Sequence, residues 1–225
     1  TIMSKINISS ERAISSIVTG AVPYRFSSLL RTEQPIIAGK INDSFDLRSN
    51  ILDSLNELLF FKTAPDDGKK YIKIFGLQNG QRCYRWVHKA YIQVPKNFDK
   101  YKVVLPESNG AGTLGEILTH PFVEVPNVGH TQTFISIGSF NRREEAEALL
   151  KYLKSKFARI LLGILKITQH NPVATWAKIP LQDFTQSSDI DWSKSVADID
   201  RQLYKKYKLS DEEIDFIEKN VKEMK

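Results

Sequence analysis

The sequence is poor in the residues that most readily announce a chemistry. It has one cysteine, Cys83. An internal disulfide is excluded, and a reducing cytoplasm is the expected compartment. One cysteine and four scattered histidines leave little from which to build a structural zinc site. No apolar run reaches the ~18 residues of a membrane helix, so no membrane partner is expected. Residues 1–10 lack the apolar core and cleavage pattern of a signal peptide. The chain opens at Thr1 rather than at a methionine, which hints at a piece of something longer, although Met3 could serve as a start.

Catalytic motifs are also missing. A phosphate-binding P-loop needs G-x-x-x-x-G-K-[ST], and Gly76-Leu77-Gln78-Asn79-Gly80 lacks the Lys-Ser/Thr that should come next. Gly110, Gly112 and Gly115 have the spacing of a dinucleotide fingerprint. Pro106 interrupts the strand-to-turn geometry, and no acidic residue stands about twenty positions on, so a loop touching a nucleic-acid backbone is the better reading. His88, His120, His130 and His170 show no metal-ligand spacing, and Cys83 sits in a strand pattern as a packed residue. Pro65-Asp66-Asp67-Gly68-Lys69-Lys70 resembles a magnesium nuclease pattern in outline, but it is turn chemistry first, and no second carboxylate stands on a later strand. No catalytic residue and no metal ligand is assigned.

What is present is a globular composition of 225 residues, 41% hydrophobic and 26% charged, enough for one large or two small domains. The net charge of +6 is unevenly spread. Residues 1–60 are neutral, 61–104 carry +7, 105–140 carry −3, 141–180 carry +5, and the stretch from Asp183 onward carries −3. Two basic blocks between neutral or acidic ones suit a protein that meets a polyanion with two of its segments.

Periodicity predicts a helix over Ser9 to Thr19, capped by Ser9 or Ser10, and another over Leu47 to Phe61. Tyr71 to Phe75 and Arg82 to Val87 alternate as strands, joined by an Asn79-Gly80 hairpin turn. Further strands are expected at Tyr91 to Val94, Tyr101 to Leu105, Phe122 to Val125, Thr131 to Ile137 and Val173 to Ile179. Ala146, Leu149, Leu150, Leu153, Phe157, Ile160, Leu161 and Ile164 mark one long helix from about Arg142 to Lys166, capped by Asn141. As one rod it would span roughly 37 Å. Two tail helices complete the chain, the second opened by a Ser210/Glu213 capping box. The expectation is an α+β, mixed sheet-and-helix recognition domain over residues 1–182, with an acidic helical appendage over 183–225.

Three stretches carry a resemblance. They are Tyr101-Lys102-Val103-Val104-Leu105-Pro106-Glu107-Ser108-Asn109-Gly110, the helix end Lys166-Ile167-Thr168-Gln169-His170, and Ile179-Pro180-Leu181-Gln182-Asp183-Phe184 together with the segment from Tyr204 to Glu218. In this order they resemble the C-terminal, target-recognition region of bacterial adenine-specific DNA methyltransferases and type II restriction–modification enzymes. The resemblance runs from Tyr101 to Glu218, with a fainter echo at Ile17 to Phe26. It implies recognition of double-stranded DNA, with the methyltransferase domain as the partner and S-adenosylmethionine as that domain's cofactor. The Asn-Pro-Pro motif that holds a flipped adenine is not in this sequence: Asn171-Pro172 is followed by Val173. Recognition without chemistry is therefore implied. Glu107 stands where a lysine is usual, so that position is a poor phosphate ligand.

For phosphates the candidates are Lys69, Lys70, Lys102, Arg142, Arg143 and Lys166. For base edges they are Arg82, Arg85, Asn109, Gln169 and His170, the residue types able to read a groove. Arg25, between Tyr24 and Phe26, is a candidate wedge, although such aromatics more often fill a core. Trp86, Trp176 and Trp192 are assigned to packing. The competing expectations are an endonuclease in its own right and a protein-interaction module that uses the acidic tail.

Overall fold

The computed structural model describes residues 2–6, 12–109, 114–166 and 168–224. Its strands are β1 (Val18–Thr19), β2 (Arg25–Phe26), β3 (Tyr71–Gln78), β4 (Gln81–His88), β5 (Ile92–Gln93), β6 (Tyr101–Pro106), β7 (Phe122–Glu124), β8 (Val128–His130) and β9 (Phe134–Phe140). Its α-helices are α1 (Ile2–Lys5), α2 (Ser28–Glu33), α3 (Pro35–Ala38), α4 (Ile51–Ser54), α5 (Arg143–Lys154), α6 (Lys156–Leu165), α7 (Val196–Lys206) and α8 (Asp211–Asn220). The fold is α+β, as the composition and periodicity predict.

Among the described residues two larger sheets organise it, beside a two-stranded pairing of β2 with β5. One has the order β1-β9-β6-β7, all antiparallel. The other has the order β4-β3-β8, with β3 antiparallel to β4 and parallel to β8. The β3–β4 turn is the expected one. Asn79 and Gly80 both have positive φ, 48° and 72°, the handedness that matches the twist of a two-residue hairpin. Helix α5 lies against the four-stranded sheet, and α6 to α8 pack with it around a core that includes Leu149, Leu153, Phe157, Leu161, Leu203 and Ile217. A second core, with Leu52, Phe60, Ile72, Ile74 and Val87, lies on the three-stranded sheet. Phe75 of β3 joins the sheets: its ring is 4.6 Å from that of Phe134 and 5.0 Å from that of Phe122. Burying each such side chain stabilises by about 1.5–3 kcal/mol.

The structure departs from the sequence reading at several places. The long helix is two helices. At Ser155 the backbone turns extended, with φ −60° and ψ 148°, and the Ser155 hydroxyl accepts the N–H of Ala158 at 3.1 Å to start α6. The buried carboxylate of Asp200, in α7, accepts the N–H groups of Lys156 and Phe157 at 3.0 and 2.9 Å. A distant acid thus accepts the first N–H groups of the new helix. The start of α5 is Arg143, so Asn141 lies outside the cap position. Residues 9–11 of the first expected helix lie outside the described residues, and Ile14–Ile17 forms a 3-10 turn running into β1. Over Leu47 to Phe61 only α4 is helical, because the chain reverses at Glu57 (φ 55°) and bridges back from Asn56 to Phe60. Val173–Trp176 is a 3-10 turn rather than a strand, coming directly after Pro172. The tail shares one core with the preceding helices, through Phe184, Ile199, Leu203, Tyr204, Tyr207 and Ile217. Its capping box at Ser210 and Glu213 is formed.

Candidate nucleic-acid interface

The first basic block folds into the β3–β4 ribbon and its flanks. Strand β4 is the outer strand of its sheet. Among the described residues Phe61 bridges its free side, exchanging two 2.8 Å bonds with Trp86. In an antiparallel pair, residues opposite each other point to the same face. The register therefore puts Arg82, Tyr84 and Trp86 on one face, opposite Leu77, Phe75 and Lys73. Phe75 anchors that face to the neighbouring sheet, and β4 is left at the rim.

Arg82 is exposed, and its guanidinium donates to the carbonyls of His120 and Thr119 at 3.2 and 3.4 Å. Those two bonds orient a side chain that has five N–H donors, so donors remain for a ligand. Tyr84 is 39% exposed. The Lys73 ammonium lies 4.9 Å from the centre of the Trp86 ring, a cation–π contact. Arg85 points to the other face and is half-buried, donating to the Tyr84 carbonyl at 2.8 Å and to the Gln78 side chain.

Cations gather at the base of the ribbon. Lys89 N–H donates to the Lys70 carbonyl at 2.8 Å, which sets these two residues side by side. Lys62 comes after Phe61, the residue that bridges to β4. All three are exposed, and no carboxylate pairs with them among the described residues. Lys69 is exposed and 3.8 Å from Asp67, which also accepts the Tyr71 hydroxyl at 3.0 Å. The Asp67 carboxyl is held below its usual range: although burial opposes this, the Lys69 amide, the Tyr71 hydroxyl and the Lys69 ammonium stabilise its charged form.

Three of the residues read from the sequence as DNA contacts are turned inward. Lys102 is 0% exposed, and its ammonium donates to the carbonyls of Phe98 and Lys100, both at 3.3 Å. Burial pulls its pKa down to about 8, against the pull of Glu124 and Asp99. Lys166 is buried against Glu116 and donates to the Asn109 carbonyl at 2.6 Å. Asn109 is buried too, its amide donating to the Ile117 carbonyl at 2.9 Å and its side-chain oxygen accepting the Thr119 N–H. Lys166 and Asn109 thus bond to one another and to Glu116, Ile117 and Thr119, and Lys102 to the segment before β6, rather than face solvent. The charge pattern counted the two lysines because it cannot distinguish inward from outward side chains.

The others lie on the surface away from the ribbon or carry a partner. Arg25 is paired with Asp46 at 2.9 Å, while Tyr24 and Phe26 are core residues. Arg142 and Arg143 are exposed at the start of α5, where Glu144 and Glu147 pair with them at 3.6 and 2.8 Å. Gln169 is exposed. His170 Nδ1 meets Glu107 at 2.8 Å and the Ser108 hydroxyl at 3.1 Å. A hydrolytic triad needs the nucleophile on one ring nitrogen and the carboxylate on the other. Here both share Nδ1, so the cluster is a surface clasp between β6 and the segment after α6. Among the described residues no three His, Cys, Asp or Glu side chains converge on a point a metal could occupy. Gly110 and Gly112 of the glycine-spaced loop lie outside the described residues.

Of the candidates named from the sequence, Arg82 lies on this face of the ribbon, Arg85 on its other face, and Lys69 and Lys70 at its base. Lys62 and Lys89 lie at the base too and Tyr84 on the face of Arg82, and these three are not among the candidates. Lys62 and Lys89 adjoin strands whose pairing joins distant segments. Tyr84 was legible as the middle of the Arg82, Tyr84, Trp86 alternation.

No family model matches the chain, and no curated protein matches it. Among solved structures it is similar to the type IIG restriction endonuclease BpuSI, at 12% identity and a TM-score of 0.40, over 88% of this chain and 27% of that one. The chain thus spans about a quarter of the length of that structure.

Proposed function

We propose that this chain binds double-stranded DNA, with the β4 rim and the lysines at the base of the ribbon as its contact surface. The observation that carries the reading is the group of exposed cations at Lys62, Lys70 and Lys89, joined to an edge strand that alternates Arg82, Tyr84 and Trp86. Unpaired cations beside a ribbon give what duplex binding needs: charge for phosphates, and a narrow edge that a major groove about 12 Å wide can admit. Lysines at the base would fix position, while Arg82 and the ribbon's tip amides would face base edges. The finer reading rests on the family resemblance: the chain is the target-recognition part of a restriction–modification enzyme. Methyl transfer from S-adenosylmethionine would then belong to a methyltransferase domain outside this sequence, which holds no Asn-Pro-Pro motif.

The test is fluorescence anisotropy with a random-sequence duplex across a salt series. If Lys62, Lys69, Lys70 and Lys89 each neutralise one phosphate, log affinity should fall with log salt at a slope of about −3.6. A chain that does not bind at low salt contradicts the proposal.

A further inference from the structure

Beside the bonds of Arg82, a second side-chain link ties the candidate face to the body of the protein. The Tyr84 hydroxyl donates to Glu124 at 2.9 Å, and the other oxygen of that carboxylate accepts the Val125 N–H at 2.9 Å. Tyr84 is on the rim strand β4, while Glu124 ends β7, the outer strand of the other sheet. The carboxylate is 5% exposed and stands across from Lys102 in the β6–β7 register. The partly exposed ring therefore has a buried anchor for its hydroxyl. Burial, with Glu124 beside it, raises the Tyr84 pKa, so the hydroxyl stays a donor. Burial also raises the Glu124 carboxyl, opposed by the Val125 N–H, the Tyr84 hydroxyl and the ammonium groups of Lys102 and Lys73.

We propose that Glu124 is a positioning residue of the DNA-binding face: it holds the Tyr84 hydroxyl and so fixes the exposed ring beside Arg82 and Trp86 before DNA arrives. The proposal rests on the DNA-binding reading above. A ring already held in place avoids the ordering loss that a free side chain suffers on binding. That loss amounts to roughly three- to tenfold in affinity for one such side chain. Glu124 touches no DNA and acts through Tyr84. The rival role for a carboxylate near such a face is a bare negative charge that repels phosphate, and the two roles predict opposite changes.

The experiment measures duplex affinity of the full chain by anisotropy, with a random-sequence duplex, for wild type, Tyr84→Phe, Glu124→Gln, Glu124→Leu and the Tyr84→Phe/Glu124→Leu pair. Melting temperature is recorded for each. Positioning predicts that Tyr84→Phe and Glu124→Leu each weaken binding roughly three- to tenfold, and that the pair is no weaker than either alone. Glu124→Gln should stay within about twofold of wild type, because its amide oxygen can accept the same hydroxyl. The salt slope should not change, since no phosphate contact is removed. Unchanged affinity in Tyr84→Phe overturns the assignment. So does additivity in the pair, or tighter binding in both Glu124 variants. If Glu124→Leu does not fold, Tyr84→Phe and Glu124→Gln still decide the matter. Wild type that fails to bind any duplex removes the DNA-binding reading itself, whereas wild type that binds with a silent Tyr84→Phe removes only the role of Glu124.

Discussion

Replacing Asp200 by asparagine should change the pH dependence of folding more than its level at acid pH. Asp200 is 3% exposed, and its two oxygens accept the first N–H groups of α6. Two effects oppose each other there. Burial disfavours the charged carboxylate, and the amide bonds of Phe157 and Lys156 favour it. Glu218 adds to the first and Arg159 to the second. Burial prevails and pushes the carboxyl up from 3.8 to about 6. The folded pKa therefore lies above the unfolded one, and the folded state binds the extra proton between those values. The stability this gives is complete below the unfolded pKa and is lost as pH rises through the folded one. At about 1.4 kcal/mol per pH unit the loss is roughly 3 kcal/mol. The asparagine of the D200N variant would not ionise but would keep one acceptor oxygen, as the protonated acid does. Near pH 4 the D200N variant should lie within about 1 kcal/mol of wild type. By about pH 7 it should have gained up to ~3 kcal/mol relative to wild type. Urea unfolding of both proteins at a series of pH values reads this difference and cancels the groups they share. A difference that stays flat, or that moves in favour of wild type as pH rises, would refute the balance argued here.

The packing sets two further outcomes. Ser155→Ala removes the cap that restarts the chain as α6 and should destabilise by about 1 kcal/mol, read as a lower urea midpoint with an unchanged slope. Gly76→Ala would set a methyl group 2.6 Å from Leu52 Cδ1 and 2.8 Å from Thr131 Cγ2, so about 1–3 kcal/mol of stability should be lost in the same assay. An unchanged midpoint in that variant would mean that the contact between α4 and β3 gives way easily.

What could be read from the sequence was what depends on neighbours along the chain. Asn79-Gly80 dictates its turn by backbone handedness, and Ser210 with Glu213 dictates a helix start within four residues. Both are as expected. The break at Ser155 depends on Asp200, and no periodicity over residues 142–166 reveals that a carboxylate from α7 will arrive there. The same reason explains the site. Lys102 and Lys70 are alike as letters, but Lys102 lies in β6 between β9 and β7, with its ammonium enclosed by carbonyls, while Lys70 precedes a rim hairpin. Inward or outward placement is a property of the sheet order, and the strands that flank β6 come from later in the chain, with Lys102 opposite Glu124 and Val103 opposite Ile137.

The most direct test of the central claim is a charge reversal with a matched control. Lys70→Glu/Lys89→Glu reverses two cations at the base of the ribbon, and Lys205→Glu/Lys219→Glu reverses two exposed cations on α7 and α8. Net charge changes equally in both. If the ribbon meets DNA, the first pair should lose binding at least tenfold at moderate salt, with a salt slope shallower by about 1.8, and the second should keep the wild-type slope. Equal losses in the two pairs, or a loss confined to the tail pair, would contradict the account.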